Sequence, residues 1–159
     1  MQPVHEAARV GDVRESLADI TLATESAVFD LAFARIGLIP DAGGSFALQR
    51  LLGPARALGL SMLGEKLSAK AAVELGLILR AIPDADFGGE VEAMAARLAQ
   101  SPTRALALMK KAFNAGGHHS LEQQLALEAE LQAQAADSED FQEGLKAFLE
   151  KRAAKFKGF

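Results

Sequence analysis

Residues 36–44 read Ile-Gly-Leu-Ile-Pro-Asp-Ala-Gly-Gly, and this stretch says more about the fold than any other in the chain. Its Pro-Asp-Ala-Gly-Gly end is typical of a tight turn. A glycine pair that opens a helix lets backbone N–H groups approach a ligand closely. Asp41 stands between the proline and the glycines. The sequence allows two interpretations of Asp41: a helix-capping acid in a turn, or a carboxylate that moves a proton on a substrate.

The composition of the chain excludes several classes of protein. Of its 159 residues, 50% are hydrophobic, 24% are charged and none is cysteine. One compact domain in a reducing, cytoplasmic setting fits these values, whereas disulfide frameworks and thiolate metal sites are excluded. The net charge of −4 and the absence of Trp and Tyr argue against a nucleic-acid partner. No apolar run is long enough to predict a membrane span.

The pattern on either side of the turn predicts a few short strands followed mainly by helices. Residues 19–24, in which Ile20 and Leu22 alternate with Thr21, read as a short strand. Residues 29–39 read as a strand or an extended loop, and residues 77–82 read as another short strand. Ser101 and Ser120 are predicted N-caps. The predicted helices cover residues 45–52, 54–63, 69–75, 90–99, 102–114 and 121–136, and a last helix is capped by Asp137 or Ser138.

Two clusters of polar residues outside the turn invite a functional interpretation. His118 and His119 are adjacent, and adjacent histidines rarely face one ion, so no metal site is predicted. Residues 146–159 carry five Lys or Arg residues against Glu150 alone. This basic run is either a solvated helix end or a contact for a phosphate-bearing ligand.

Several segments, taken together, resemble the second half of the crotonase superfamily, the enoyl-CoA hydratases and isomerases. The two longest are residues 19–29, which begin Asp-Ile-Thr-Leu-Ala-Thr, and residues 35–44 around Asp41. Shorter segments agree in order and spacing: Leu67-Ser68-Ala69, Gly76-Leu77, Pro102 with Lys110, Phe141-Gln142-Glu143-Gly144, and residues 147–152. The resemblance covers residues 19–159. It implies a truncated α/β crotonase spiral that is mostly helical with a few short strands.

The resemblance also implies a division of the chain. Residues 1–18 would be a divergent N-terminal arm, residues 19–85 a remnant of the spiral core, and residues 86–159 a helical oligomerisation region. Only the C-terminal half of the family would then be present. The N-terminal half supplies most of the sheet and both backbone donors of the oxyanion hole in the family, so activity in this short chain would be impaired.

Within the family, Asp41 resembles the acid of isomerases that act on ring-1,2-epoxyphenylacetyl-CoA in phenylacetate degradation. The position at which hydratases carry a catalytic glutamate corresponds to Phe33, which cannot move a proton. The resemblance therefore implies an acyl-CoA isomerase with Asp41 as its base and with Leu38, Gly43 and Gly44 against the substrate. Coenzyme A would enter as part of the substrate, with no other cofactor.

The family assembles through its C-terminal helices into trimers, often paired as hexamers. The resemblance places Phe148 near the adenine, and Lys151 near a phosphate, of the CoA bound by a neighbouring subunit. Two alternatives stay open: a non-catalytic oligomerisation or interaction module derived from a crotonase, and an enoyl-CoA hydratase that uses another acid.

Overall fold

Short strands form two small sheets in the first part of the chain. The computed structural model describes residues 10–11 and 18–159, which fall into two units, residues 1–93 and 94–159. In one sheet, β3 (Val28–Asp30) pairs in parallel with β1 (Val10–Gly11) and antiparallel with β4 (Lys66–Ser68). In the other, β2 (Leu22–Thr24) pairs in parallel with β5 (Arg80–Ile82). The predicted arm over residues 1–18 lies outside the described residues except at positions 10, 11 and 18.

The core of the first unit is built from buried residues of the strands and of the helices that follow the turn. Phe29, Leu22, Leu31 and Leu48 are its largest fully buried side chains. Burying a side chain of this size contributes about 1.5–3 kcal/mol relative to leaving it exposed. The core therefore lies between the strands and the first helices.

Helices follow the strands, and each begins or ends where the sequence offers a local reason. A short 3-10 helix (Ala32–Ile36) precedes the turn, and α1 (Gly44–Leu52) follows it. Gly53 separates α1 from α2 (Pro54–Leu63), whose first position is the proline that suits a helix start. The side chain of Ser68 accepts a hydrogen bond from the backbone of Ala71 and caps α3 (Ala69–Glu74).

The second unit is helical in its described residues. After α4 (Phe87–Ala99), which crosses the boundary between the units, come α5 (Thr103–Gly116), α6 (Leu121–Ala136) and α7 (Glu139–Leu149). Ser120 and Gln123 form a complete capping box at the start of α6, and Ser138 caps α7. No helix in the described part of the chain is long and apolar enough to cross a membrane.

Four details differ from the sequence predictions. The strand predicted over residues 19–24 is limited to Leu22–Thr24, and residues 32–36 of the predicted strand or loop form the 3-10 helix. The strand Lys66–Ser68 was not predicted. Ser101 does not cap α5, because its hydroxyl donates to the carbonyl of Arg97 and Pro102 occupies the N-cap position.

Candidate functional site

The turn at Asp41 is held by a few backbone hydrogen bonds and has an unusual backbone conformation. The Leu38 N–H donates to the Phe33 carbonyl at 2.9 Å, and the Gly44 N–H donates to the Asp41 carbonyl at 2.7 Å. Ala42 and Gly43 both adopt positive φ, at 46° and 88°. Glycine tolerates this conformation, whereas alanine there costs about 1 kcal/mol or more. Such strain is typical of sites where the chain conformation serves a function.

The carboxylate of Asp41 does not cap the helix that follows it. Gly43 is the N-cap of α1, and no side chain accepts a hydrogen bond there. Within the described part of the chain, the Asp41 carboxylate has no hydrogen-bond or salt-bridge partner. The helix-capping interpretation of Asp41 is therefore wrong, and its exposed carboxylate is available to another molecule.

Exposed apolar side chains lie on the turn just before Asp41 in the sequence. Leu38 is 60% exposed and Ile39 is 78% exposed, and both precede Asp41 closely in the sequence. Gly44 is buried at the start of α1, while Gly43 is exposed. An acid beside uncovered apolar side chains suits a substrate with a hydrocarbon part next to its reacting carbon. Phe33 lies half-buried in the 3-10 helix and offers no ionisable group there.

In the second unit, α7 ends in a turn that places a lysine where glycine is usual. The Lys151 N–H donates to the Phe148 carbonyl and the Arg152 N–H donates to the Ala147 carbonyl, which together form a Schellman motif. The central residue of this motif, Lys151, has φ 53°. Glycine normally fills this position because it lacks a Cβ. Lys151 is exposed, and Phe148 beside it is 79% exposed.

Acidic side chains of α7 fix the segment that follows this turn. Glu143 accepts hydrogen bonds from both Nη atoms of Arg152, at 2.6 and 2.9 Å, and from the Lys155 N–H at 2.8 Å. These bonds, with Arg152 foremost, lower the pKa of Glu143 from 4.5 to about 2. Asp140 is buried, and its two carboxylate oxygens accept the N–H groups of Lys157 and Gly158 at 2.7 and 2.8 Å.

The paired acids change the interpretation of the basic run. Arg152 is held by Glu143 and Glu150, and Lys157 lies 3.3 Å from Glu139. Lys151, by contrast, has no salt-bridge partner within the described part of the chain. Among the described residues, Lys146, Lys151 and Lys155 are the cations of the basic run without a salt bridge, and Lys151 is the residue that the resemblance places near a phosphate.

The sequence-predicted site residues are found in both units. Asp41, Leu38, Gly43 and Gly44 belong to the first unit and share one turn, whereas Phe148 and Lys151 belong to the second. His118 and His119 are exposed between α5 and α6. Among the described residues, no three His, Asp or Glu side chains come together as metal ligands. The sequence did not single out Asp140 or Glu143 as anchors, because their partners lie 9 to 18 residues further along the chain.

Comparison with known proteins identifies relatives that match most of this chain. The family model described as "Enoyl-CoA hydratase/isomerase" matches residues 7–158. A "Probable enoyl-CoA hydratase" of Rhodobacter capsulatus is 51% identical over 141 residues, which are 89% of this chain and 55% of that protein. A "1,2-epoxyphenylacetyl-CoA isomerase" of Escherichia coli is 44% identical over 140 residues, covering 88% of this chain and 53% of that protein.

Solved structures agree with these matches. An enoyl-CoA hydratase structure from Geobacillus kaustophilus superposes with a TM-score of 0.90 at 32% identity, over 94% of this chain and 60% of that one. The chain thus spans a little over half the length of the curated relatives it matches. The family match nevertheless begins at residue 7, so the expectation that only the C-terminal half of the family is present is not supported.

Proposed function

This chain belongs to the enoyl-CoA hydratase/isomerase family, and we propose that it isomerises an unsaturated acyl-CoA thioester with Asp41 as the base. The observation that carries this proposal is the exposed Asp41 carboxylate, which lacks a partner in the described residues and stands on a strained turn beside Leu38 and Ile39. A structural aspartate in a turn would be expected to bond to the backbone around it. The Asp41 carboxylate, which has no such bond among the described residues, would be free to contact a ligand.

The proposed chemistry needs a single carboxylate. Asp41 takes a proton from a carbon α or γ to the thioester carbonyl. The electron pair left behind moves onto the carbonyl oxygen, directly from the α carbon or through the α,β double bond from the γ carbon. When Asp41 returns the proton at the other carbon, the double bond has moved and no atom has been gained or lost. Leu38 would contact the acyl chain, and Gly43 and Gly44 would let the start of α1 approach the thioester. General acid–base catalysis of this kind contributes about 10²–10⁴-fold.

Hydration is the alternative reaction, and the name of the Rhodobacter capsulatus relative favours it. Adding water across a double bond by the two-acid mechanism needs a second carboxylate, and Phe33 occupies the corresponding position. Isomerisation needs no second acid, and the Escherichia coli relative is named for an isomerase. A derivative of ring-epoxidised phenylacetyl-CoA is therefore one substrate that we would test, which would connect the chain to phenylacetate degradation.

We further propose that Phe148 and Lys151 contact coenzyme A bound to a neighbouring copy of the chain, in a trimer or hexamer. Lys151 keeps a costly backbone conformation, and its ammonium group has no salt-bridge partner among the described residues, which would suit a phosphate contact. The uncovered apolar residues Leu121 and Leu125 on α6 fit burial against another copy. A cytoplasmic location is proposed on the absence of cysteine alone.

The proposal is tested with two variants and one substrate class. Asp41→Asn should lower the isomerisation rate of a short unsaturated acyl-CoA at least 100-fold and leave its calorimetric affinity unchanged. Glu65→Gln, an equivalent change at another exposed acid of the first unit, should alter neither quantity. An Asp41→Asn protein with full turnover would refute the assignment.

The non-catalytic alternative predicts something different from the same samples. An oligomerisation module without a site would bind no acyl-CoA in either variant or in the parent chain. Micromolar binding that weakens in Lys151→Ala would exclude that alternative.

A further inference from the structure

Arg35 joins three backbone segments around the turn that carries Asp41. It lies in the 3-10 helix that leads into the turn. One nitrogen of its guanidinium, Nη1, donates to the Gly64 carbonyl at 2.8 Å, and the other, Nη2, lies 2.5 Å from Oδ1 of Asp30. Asp30 ends strand β3 and Gly64 ends helix α2. A planar guanidinium can hold both partners at once, which an ammonium group does less well.

These contacts close the chain into a ring that contains the turn. From Arg35 the backbone runs through the turn, α1 and α2, and reaches Gly64, where the hydrogen bond across 29 residues brings it back to Arg35. Helices α1 and α2 pack against each other, and α2 also contacts the 3-10 helix. The turn itself has exposed side chains at Leu38 and Ile39 and buries little. Its conformation therefore depends on how its two ends are held.

The lack of a side chain at Gly64 leaves space for Arg35. Gly64 has φ 61°, and a Cβ at this position would lie 3.1 Å from Cγ of Arg35. The glycine thus ends α2 and also leaves room for the aliphatic part of the arginine. Asp30 is 17% exposed and lies 4.0 Å from the ammonium of Lys66 as well as against Arg35. Lys66 belongs to β4 and not to the turn, so its substitution is a control for the loss of a positive charge beside Asp30.

We propose that Arg35 is a positioning residue, which holds the Asp41 turn in the conformation needed for proton transfer. The inference rests on the proposed role of Asp41. Arg35 acts through the backbone and not on the substrate, because its guanidinium is engaged by Asp30 and Gly64. Misplacing a reacting group by about 1 Å can reduce a rate 10²-fold. Loss of the Arg35 contacts should therefore lower the rate of proton transfer and leave the affinity for acyl-CoA unchanged.

The test compares Arg35→Met, Arg35→Lys and Lys66→Met in the full chain. Methionine keeps most of the apolar length and loses both contacts. We expect the amide hydrogens of Leu38 and Gly44 to exchange at least tenfold faster in Arg35→Met, with the core amide of Leu22 unchanged. The value of kcat for the short acyl-CoA should fall at least tenfold with KM within twofold. Arg35→Lys should recover part of both effects, and Lys66→Met should show neither.

Each result decides the inference. Unchanged exchange at Leu38 and Gly44 in Arg35→Met would overturn it, and so would faster exchange that includes Leu22, because that pattern reports general destabilisation. Faster exchange confined to the turn without a fall in kcat would also overturn it. If the parent chain does not isomerise acyl-CoA, or Asp41→Asn is fully active, the proposed function fails instead, and the exchange data show separately whether Arg35 holds the turn.

Discussion

Replacing Asp140 with asparagine should destabilise the second unit far more than its place near the end of the chain indicates. The two carboxylate oxygens of Asp140 accept the N–H groups of Lys157 and Gly158, and the side chain is 3% exposed. Asparagine keeps one acceptor and turns an NH₂ group toward the other backbone N–H. Hydrogen bonds to charged groups contribute about 1.5–3 kcal/mol, and an unpaired buried donor costs about 1–3 kcal/mol.

We therefore expect Asp140→Asn to lower the free energy of unfolding by about 2–4 kcal/mol. For a chain of this size the melting temperature should fall by about 4–16 °C. The measurement is urea and thermal unfolding followed by helical circular dichroism, at neutral pH and constant salt.

The matched control is the neighbouring substitution Glu139→Gln. Glu139 precedes Asp140 in the first turn of α7, so both substitutions remove one favourable acid from the helix N-terminus. The salt bridge of Glu139 to Lys157 is exposed, with both side chains about two-thirds accessible, and such a pair contributes less than about 1 kcal/mol. If Asp140→Asn and Glu139→Gln differ by less than about 0.5 kcal/mol, the buried carboxylate does not anchor the chain end, and the reasoning is refuted.

Two further predictions concern the same region. Because the pKa of Glu143 is lowered from 4.5 to about 2, its stabilising effect is complete above pH 4.5 and is lost as the pH falls through 2. In acid unfolding, Glu143→Gln should therefore lack the loss of stability that the parent chain shows in this pH range. If the two proteins lose stability identically with pH, the low pKa of Glu143 does not stabilise the fold. Lys151→Gly should raise the free energy of unfolding by about 1 kcal/mol by relieving positive φ, while lowering acyl-CoA affinity in calorimetry. A less stable glycine variant would show that the lysine is not strained.

The sequence predicted the helices well because their signals are local. The capping box at Ser120 and the proline at the start of α2 act within one helical turn, and the structure confirms both. Of the two caps predicted for the last helix, Asp137 or Ser138, the structure has Ser138. Ser101 shows the limit of that reasoning. Its hydroxyl donates to the carbonyl of Arg97 in the preceding helix, and this local hydrogen bond replaces the predicted cap of α5.

The strands were predicted less well because their partners are distant in the sequence. The segment Lys66–Ser68 is polar at its ends and becomes a strand only by pairing with Val28–Asp30. The start of β2 at Leu22, later than the predicted start at Asp19, likewise follows from its register against Arg80–Ile82. Short strands take their bounds from such pairing more than from propensity.

For the candidate site, the sequence located the turn but not what holds it. Proline and the glycine pair predicted a turn at Asp41, whereas positive φ at Ala42 and the bond from Arg35 to Gly64 depend on tertiary packing. The basic run was left open between a solvated end and a phosphate contact. The structure separates its members, since Arg152 is paired with Glu143 and Glu150, whereas Lys151 has no salt-bridge partner among the described residues.

The parallel pairing of β2 with β5 has a consequence for the order in which the chain folds. Thr24 and Arg80 lie 56 residues apart (80 − 24) along the sequence, and closing a flexible loop of that length costs about 3.6 kcal/mol in entropy. The helices of residues 94–159 need no comparable closure. Refolding should therefore show a fast phase for these local helices and a slower phase, limited by the pairing of β2 with β5, in which the core of the first unit forms.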